Sequence, residues 1–270
     1  MTAPSATKFK VADLSVAIYP TTSAMAHAAA QAAAAQLSQA ISERGEAAAI
    51  LATGNSQIDF LKALVDGQGR SWNLDWSKIT LFHMDEYLGL PETHSASFRL
   101  YMQEKVEKLL RPKAFHYIAG DALEPIRECD RYSNLLANRP IDLCCLGIGE
   151  NGHLAFNDPP VADFDDLRLV KIVRLEESCR MQQVGEGHFP NLEAVPQYAL
   201  TLTIPALCSA RKMLAIVPEK RKAQAVANTL LGLIDRQCPA TYLRTQRHCE
   251  LFLDADSSSL LPDTAIAAWT

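Results

Sequence analysis

The sequence predicts an α/β protein of three layers, α/β/α, with helices on both faces of a mostly parallel central sheet. Three observations predict it. Short apolar runs alternate with helical stretches almost from end to end, the pattern of strands joined by crossover helices. Runs such as 141–146 are apolar nearly throughout, as suits strands covered on both sides. No internal repeat or linker breaks the alternation, and the 270 residues, 48% of them hydrophobic, suffice for a two-sided core. Residues 1–270 therefore read as a single domain.

The elements follow in order. Residues 15–19 read as a strand. Residues 21–44 form a long Ala-rich helix that Gly45 stops. A strand at 47–51 leads to a helix at 57–65. A strand at 79–84 precedes a helix at 97–110, for which Ser95 or Ser97 serves as N-cap. A short strand at 115–118, a helix at 125–137 and the strand at 141–146 complete the first half. After an irregular centre come strands at 169–173, 198–203 and 213–217, a helix at 220–231 and a strand at 250–253.

Composition excludes several classes of partner. The formal net charge is -5, which offers no general attraction to nucleic acid or to an anionic membrane. Gln31, Gln36, Ser38 and Gln39 interrupt the Ala-rich segment, so it predicts a helix of a soluble fold and not a membrane span. Residues 1–13 are polar and lack the apolar stretch of a signal peptide. Seven cysteines, without a CxxC pair, predict reduced buried thiols in a cytoplasmic protein. Any anion must then be held by a local site.

In open α/β sheets, ligands bind beyond the carboxyl ends of the strands, and three segments there carry chemistry. The first contains Thr53, Gly54, Asn55 and Ser56 between a strand and a helix. Gly54 permits a tight turn, and the helix start offers free N–H groups to an anion; an ordinary turn with a serine cap is the alternative. The second is the loop 83–87 (HMDEY). Its Asp85 can act as a general base if fixed and partly desolvated, whereas a surface turn, or a metal shared with His83, are the other readings. The third is 147–159 (GIGENGHLAFNDP). His153 can move a proton near neutral pH, and Asp158 is placed to orient it. The G-x-G-x-x-G spacing at 147–152 also fits a dinucleotide loop, but no helical run clearly follows it.

Together the three segments resemble the glucosamine-6-phosphate deaminase/isomerase family, over roughly residues 24–253. The runs 84–90 (MDEYLGL) and 152–157 (GHLAFN) carry the resemblance. The related 6-phosphogluconolactonases share the Rossmann-like fold and a similar Gly-His segment but lack the first run. The resemblance implies an aldose–ketose isomerisation of an amino-sugar phosphate with loss of ammonia, without metal or organic cofactor. It implies Asp85 as the base at C2, His153 in ring opening, and Asn151 and Asp158 as the residues that orient His153. It further implies that Gly54, Asn55, Ser56 and Lys222 hold the phosphate. A sugar-lactone hydrolase and a non-enzymatic sugar-phosphate sensor are the competing classes, and a homo-oligomer is left open.

Four departures from the family pattern stand out. Asn151 occupies a position where many members have Asp. Asp158 replaces Glu and is one methylene shorter. Asn55 puts a side chain in the phosphate turn. The position of the family's phosphate arginine falls on Gly187 or His188, and Arg180 matches a different arginine.

Overall fold

The computed structural model describes residues 6–269. Residues 1–5 and Thr270, including the start of the polar stretch 1–13, lie outside the described residues.

The chain opens with a hairpin, β1 (Thr7–Val11) and β2 (Leu14–Tyr19), followed by helix α1 (Thr22–Arg44). Strand β3 (Ala47–Leu51), helix α2 (Ile58–Asp66) and strand β4 (Ile79–His83) come next. A short strand β5 (Asp85–Tyr87) follows at once. Helix α3 (Phe98–Met102) runs through a wider π turn at Gln103–Glu107 into α4 (Lys108–Leu110). Then come β6 (Ala114–His116), α5 (Pro125–Ala137), β7 (Leu143–Leu146), β8 (Val170–Arg174) and α6 (Glu177–Gly185). The chain ends with β9 (Tyr198–Leu202), α7 (Ile204–Cys208), β10 (Met213–Val217), α8 (Ala223–Leu231), β11 (Cys249–Asp254) and α9 (Asp263–Trp269).

Eight strands form the main sheet in the order β1-β2-β11-β10-β7-β3-β4-β6. All neighbours are parallel except the β1–β2 hairpin. The order reverses at β7, which lies between β3 and β10 with Ile50 opposite Cys144 and Leu214 opposite Cys145. Every residue of β3, β4, β7 and β10 is buried. Their apolar character follows from cover on both faces.

Helix α1 shows why an alanine run suits this layer. Its buried residues include Met25, Ala29, Ala33, Leu37 and Ala40, one stripe at helical spacing. Small side chains let the helix lie close to the sheet. Thr21 caps it, accepting from the Ala24 amide at 3.2 Å, and Gly45 ends it in the left-handed region at φ 79°. At the next long helix the cap is Ser97, whose hydroxyl accepts from the Leu100 amide at 3.3 Å.

Two expectations need correction. The runs near 169–173 and 198–203 are strands, but not of the parallel sheet. They are β8 and β9, and with β5 they make a separate antiparallel sheet in the order β5-β9-β8. The segment 83–87 is accordingly not a loop, because Asp85, Glu86 and Tyr87 pair with Thr201, Leu200 and Ala199. The chain leaves the main sheet at His83 and enters the small one at Asp85, with Met84 as the single connecting residue. Among the described residues no helix is long and apolar enough to cross a membrane.

Candidate active site

The turns that follow β3, β4, β7 and β10 converge on one cleft at the point where the strand order reverses. Gly54, Asn55, Ser56, Asp85, His153 and Lys222 line it, together with Phe98, Phe156, Gln182, Gln183 and Glu186. Asn151 and Asp158 stand just behind His153.

Asp85 begins β5. Side chains alternate along a strand, and the pair Asp85–Glu86 has divided accordingly. Glu86 is wholly buried and accepts from the amides of Tyr87 (2.9 Å), Phe98 (3.3 Å) and Arg99 (2.9 Å) and from the Ser97 hydroxyl (2.9 Å). It thus closes the N-terminus of the helix that starts at Phe98. Asp85 lines the cleft and is 7% exposed, and its carboxyl group has no hydrogen-bond partner among the described residues. Burial first, and the neighbouring Glu86 second, push its carboxyl up to about 8.

His83 takes no part with Asp85. Its Nε2 accepts the Ile118 amide at 2.7 Å, and burial holds the imidazole down to about 3. A neutral ring already engaged as an acceptor does not share an ion with Asp85, which removes that alternative.

His153 is carried by the turn after β7. Gly149 donates its amide to the His153 carbonyl at 3.0 Å, and Gly152, at φ 85°, donates to the Gly149 carbonyl at 3.0 Å. A Cβ on Gly149 would lie 2.2 Å from His153 Cε1 and Nε2. The glycine is therefore the floor on which the imidazole rests. No helix follows these glycines, since the next regular element is β8, so the dinucleotide arrangement is not formed.

Asp158 reaches His153 despite its shorter side chain. Its Oδ1 is 2.9 Å from His153 Nδ1, in ion-pair range but off the line of a straight N–H···O bond. Burial alone would raise the Asp158 carboxyl. His153 outweighs that effect, aided by Asn151 and by the Glu176 amide, and holds it below the usual range.

Asn151 is explained by its neighbours. Its Nδ2 donates to Asp158 Oδ1 at 3.0 Å and to Glu176 Oε2 at 3.1 Å, and its Oδ1 accepts the His153 amide at 3.0 Å. An ionised aspartate cannot donate to two carboxylates. The sequence reading missed Glu176, which supplies the second acid. Cys179 was missed as well. Its sulfur, Asp158 and His153 are the described residues whose ligating atoms gather within 4.8 Å. Burial first, and the neighbouring Asp158 second, push that thiol well above its usual range.

The far end of the cleft suits an anion. Gly54 holds φ 93°, a conformation that favours glycine, and the amides of Gly54, Asn55 and Ser56 donate to no described residue. Opposite them Lys222 opens α8. It is 1% exposed, yet its ammonium has no hydrogen-bond or ion-pair partner among the described residues. Burial lowers its pKa, although Glu186 counteracts the fall. Arg180 is not available here, because its guanidinium bonds the Val195 carbonyl at 3.0 Å and the Leu192 carbonyl.

Residues 20–252 match the family described as glucosamine-6-phosphate isomerases/6-phosphogluconolactonase. A glucosamine-6-phosphate deaminase of Exiguobacterium sibiricum is 36% identical over 217 residues, covering 80% of this chain and 81% of the relative. Among solved structures, a monomeric glucosamine-6-phosphate deaminase of the NagB superfamily superposes with a TM-score of 0.82 at 28% identity. That match covers 91% of this chain and 99% of the other. A 6-phosphogluconolactonase from Plasmodium vivax gives a TM-score of 0.76 at 14% identity over 96% and 97% of the two chains, a likeness of fold alone.

Proposed function

The chain belongs to the family of glucosamine-6-phosphate isomerases and 6-phosphogluconolactonases, and from that premise we propose that it deaminates and isomerises an amino-sugar phosphate. The reaction is glucosamine 6-phosphate plus water to fructose 6-phosphate plus ammonia. The observation that carries this reading is Asp85, a desolvated carboxyl group that faces the cleft and whose oxygens are held by no hydrogen bond among the described residues. A lactone hydrolase has no need of a carbon base, whereas an isomerase does.

Each residue has a role in this reading. His153, oriented by Asp158 and Asn151, moves the O1 proton to O5 and opens the ring. Asp85 takes the proton from C2 and returns one to C1, which turns the amino aldose into a ketose imine. Water adds to the imine carbon, and ammonia leaves. Lys222 and the amides of Gly54, Asn55 and Ser56 hold the phosphate end, so that C2 stays beside the base. These residues span positions 54–222, and in this reading the whole chain works as one domain. Its seven cysteines are all unpaired thiols, consistent with a reducing compartment such as the cytoplasm.

The test is incubation with glucosamine 6-phosphate while ammonia and fructose 6-phosphate are followed. Both are expected in equal amounts. Asp85→Asn is expected to abolish turnover while the circular dichroism spectrum stays that of the parent. Turnover of 6-phosphogluconolactone but not of the amino sugar would replace the proposal with the hydrolase.

A further inference from the structure

We propose that Glu186 is an internal counter-ion of the anion subsite, occupying with its own carboxylate the positive charge that a bound phosphate needs. The inference rests on the reading that Lys222 and the turn at Gly54–Ser56 hold a phosphate.

Glu186 follows the last turn of α6. Its side chain is 4% exposed, yet it lines the same cleft as Lys222 and the Gly54 turn. Oε1 accepts from Gln182 Nε2 at 2.8 Å and lies 3.1 Å from Arg221 Nη1. Oε2 lies 3.4 Å from His188 Nε2, a nitrogen with no well-aligned partner of its own. Burial alone would raise the Glu186 carboxyl. His188, Lys222, Arg221 and Gln182 together outweigh it and hold the group below the usual range. The carboxylate is therefore charged in the resting protein.

The other charges do not restore a positive surplus. Arg221 precedes Lys222 and is the arginine nearest to the subsite in sequence. Its Nε lies 2.6 Å from Glu219 Oε2, and its Nη1 faces Glu150 at 3.9 Å as well as Glu186. Two cations, Lys222 and Arg221, thus stand among three carboxylates, and His188 faces one of them, Glu186. A phosphate entering this end meets amide dipoles and one lysine whose field Glu186 already offsets. It also meets a carboxylate of its own sign at close range. The subsite is consequently set to hold the phosphate weakly and to release the product readily.

The experiment is calorimetric titration of the full-length protein with inorganic phosphate at fixed ionic strength, for the parent and for Glu186→Gln. The amide keeps the shape and the contact with Gln182 and removes the charge. Phosphate is expected to bind about ten-fold tighter to the variant, the scale of one close charge interaction at a partly solvated site. Unchanged or weaker phosphate binding in Glu186→Gln overturns the inference and assigns Glu186 to the support of Arg221. Binding of phosphate to neither protein rejects the phosphate reading of the subsite and the inference with it. Should Glu186→Gln not fold, Glu186→Asp withdraws the charge by one methylene. It is expected to tighten binding by about two-fold, and equality with the parent overturns the inference.

Discussion

Asp85 carries a proton that the proposed reaction requires it to lose. With its carboxyl pushed up to about 8, roughly a tenth of the free protein has the base ionised at pH 7, and about a hundredth at pH 6. The specificity constant kcat/KM reports the ionisation of the free enzyme. It should rise about ten-fold per pH unit up to pH 7, bend near 8 and level off above 9. Substrate amine and phosphate groups titrate in the same range, so the carboxyl itself should be observed. The infrared band of a protonated acid should be present at pH 6.5, fade with a midpoint near 8, and be missing from Asp85→Asn. The same shift has a consequence for stability. Between about pH 4 and pH 8 the unfolded chain has Asp85 ionised while the folded chain keeps it protonated. Folding then takes up a proton, and stability falls as the pH rises through that window. Asp85→Asn should therefore melt higher than the parent at pH 8, by on the order of a few kcal/mol, and the difference should vanish near pH 4. A carboxyl band that disappears below pH 5, or an Asn variant that melts lower at pH 8, would refute the reasoning.

Three further outcomes are expected. Gly149→Ala places a methyl 2.2 Å from the imidazole, so the ring must move; kcat should fall about 100-fold, and a crystal structure should show His153 displaced from Asp158. Asn151→Asp sets a carboxylate against Asp158 and Glu176; it should cost about 1–3 kcal/mol in urea unfolding at pH 8, and the loss should shrink as the pH falls and the added acid takes up a proton. Lys222→Met removes a buried ammonium that has no direct hydrogen-bond or ion-pair partner among the described residues; KM for the sugar phosphate should rise about 100-fold or more while the melting temperature changes little, the relief of the cation's desolvation offsetting the loss of its attraction to Glu186.

The inner strands of the main sheet were legible because they are apolar on both faces and the helices between them carry clear ends, Thr21, Gly45 and Ser97 among them; the edge strand β1, exposed at three of its five residues, was not. The second sheet was not. Apolar runs at β8 and β9 look alike whether they pair in parallel or antiparallel fashion. Asp85–Tyr87 is short and begins with two acids, a composition that strands usually avoid. The candidate residues Asp85 and His153 were legible through their contexts at strand ends and Lys222 through the family resemblance, and all three line one cleft. Glu176, Cys179, Gln182 and Glu186 were not. They belong to α6 or flank it, a polar helix with little apolar periodicity; the position of the family's phosphate arginine marks this stretch, but not which of its side chains face the cleft.

The single residue between β4 and β5 has a geometric consequence. Met84 passes the chain from one sheet to the other, and its carbonyl accepts the Leu202 amide at 2.8 Å. Asp85 stands on the small sheet, while the turn at Gly54 and the lysine at 222 follow strands of the large one. The gap between proton-accepting and anion-holding ends is thus an offset between two independent sheets. A ligand that engages both ends must bridge the two sheets, so a shift of one sheet against the other would change the length it accepts.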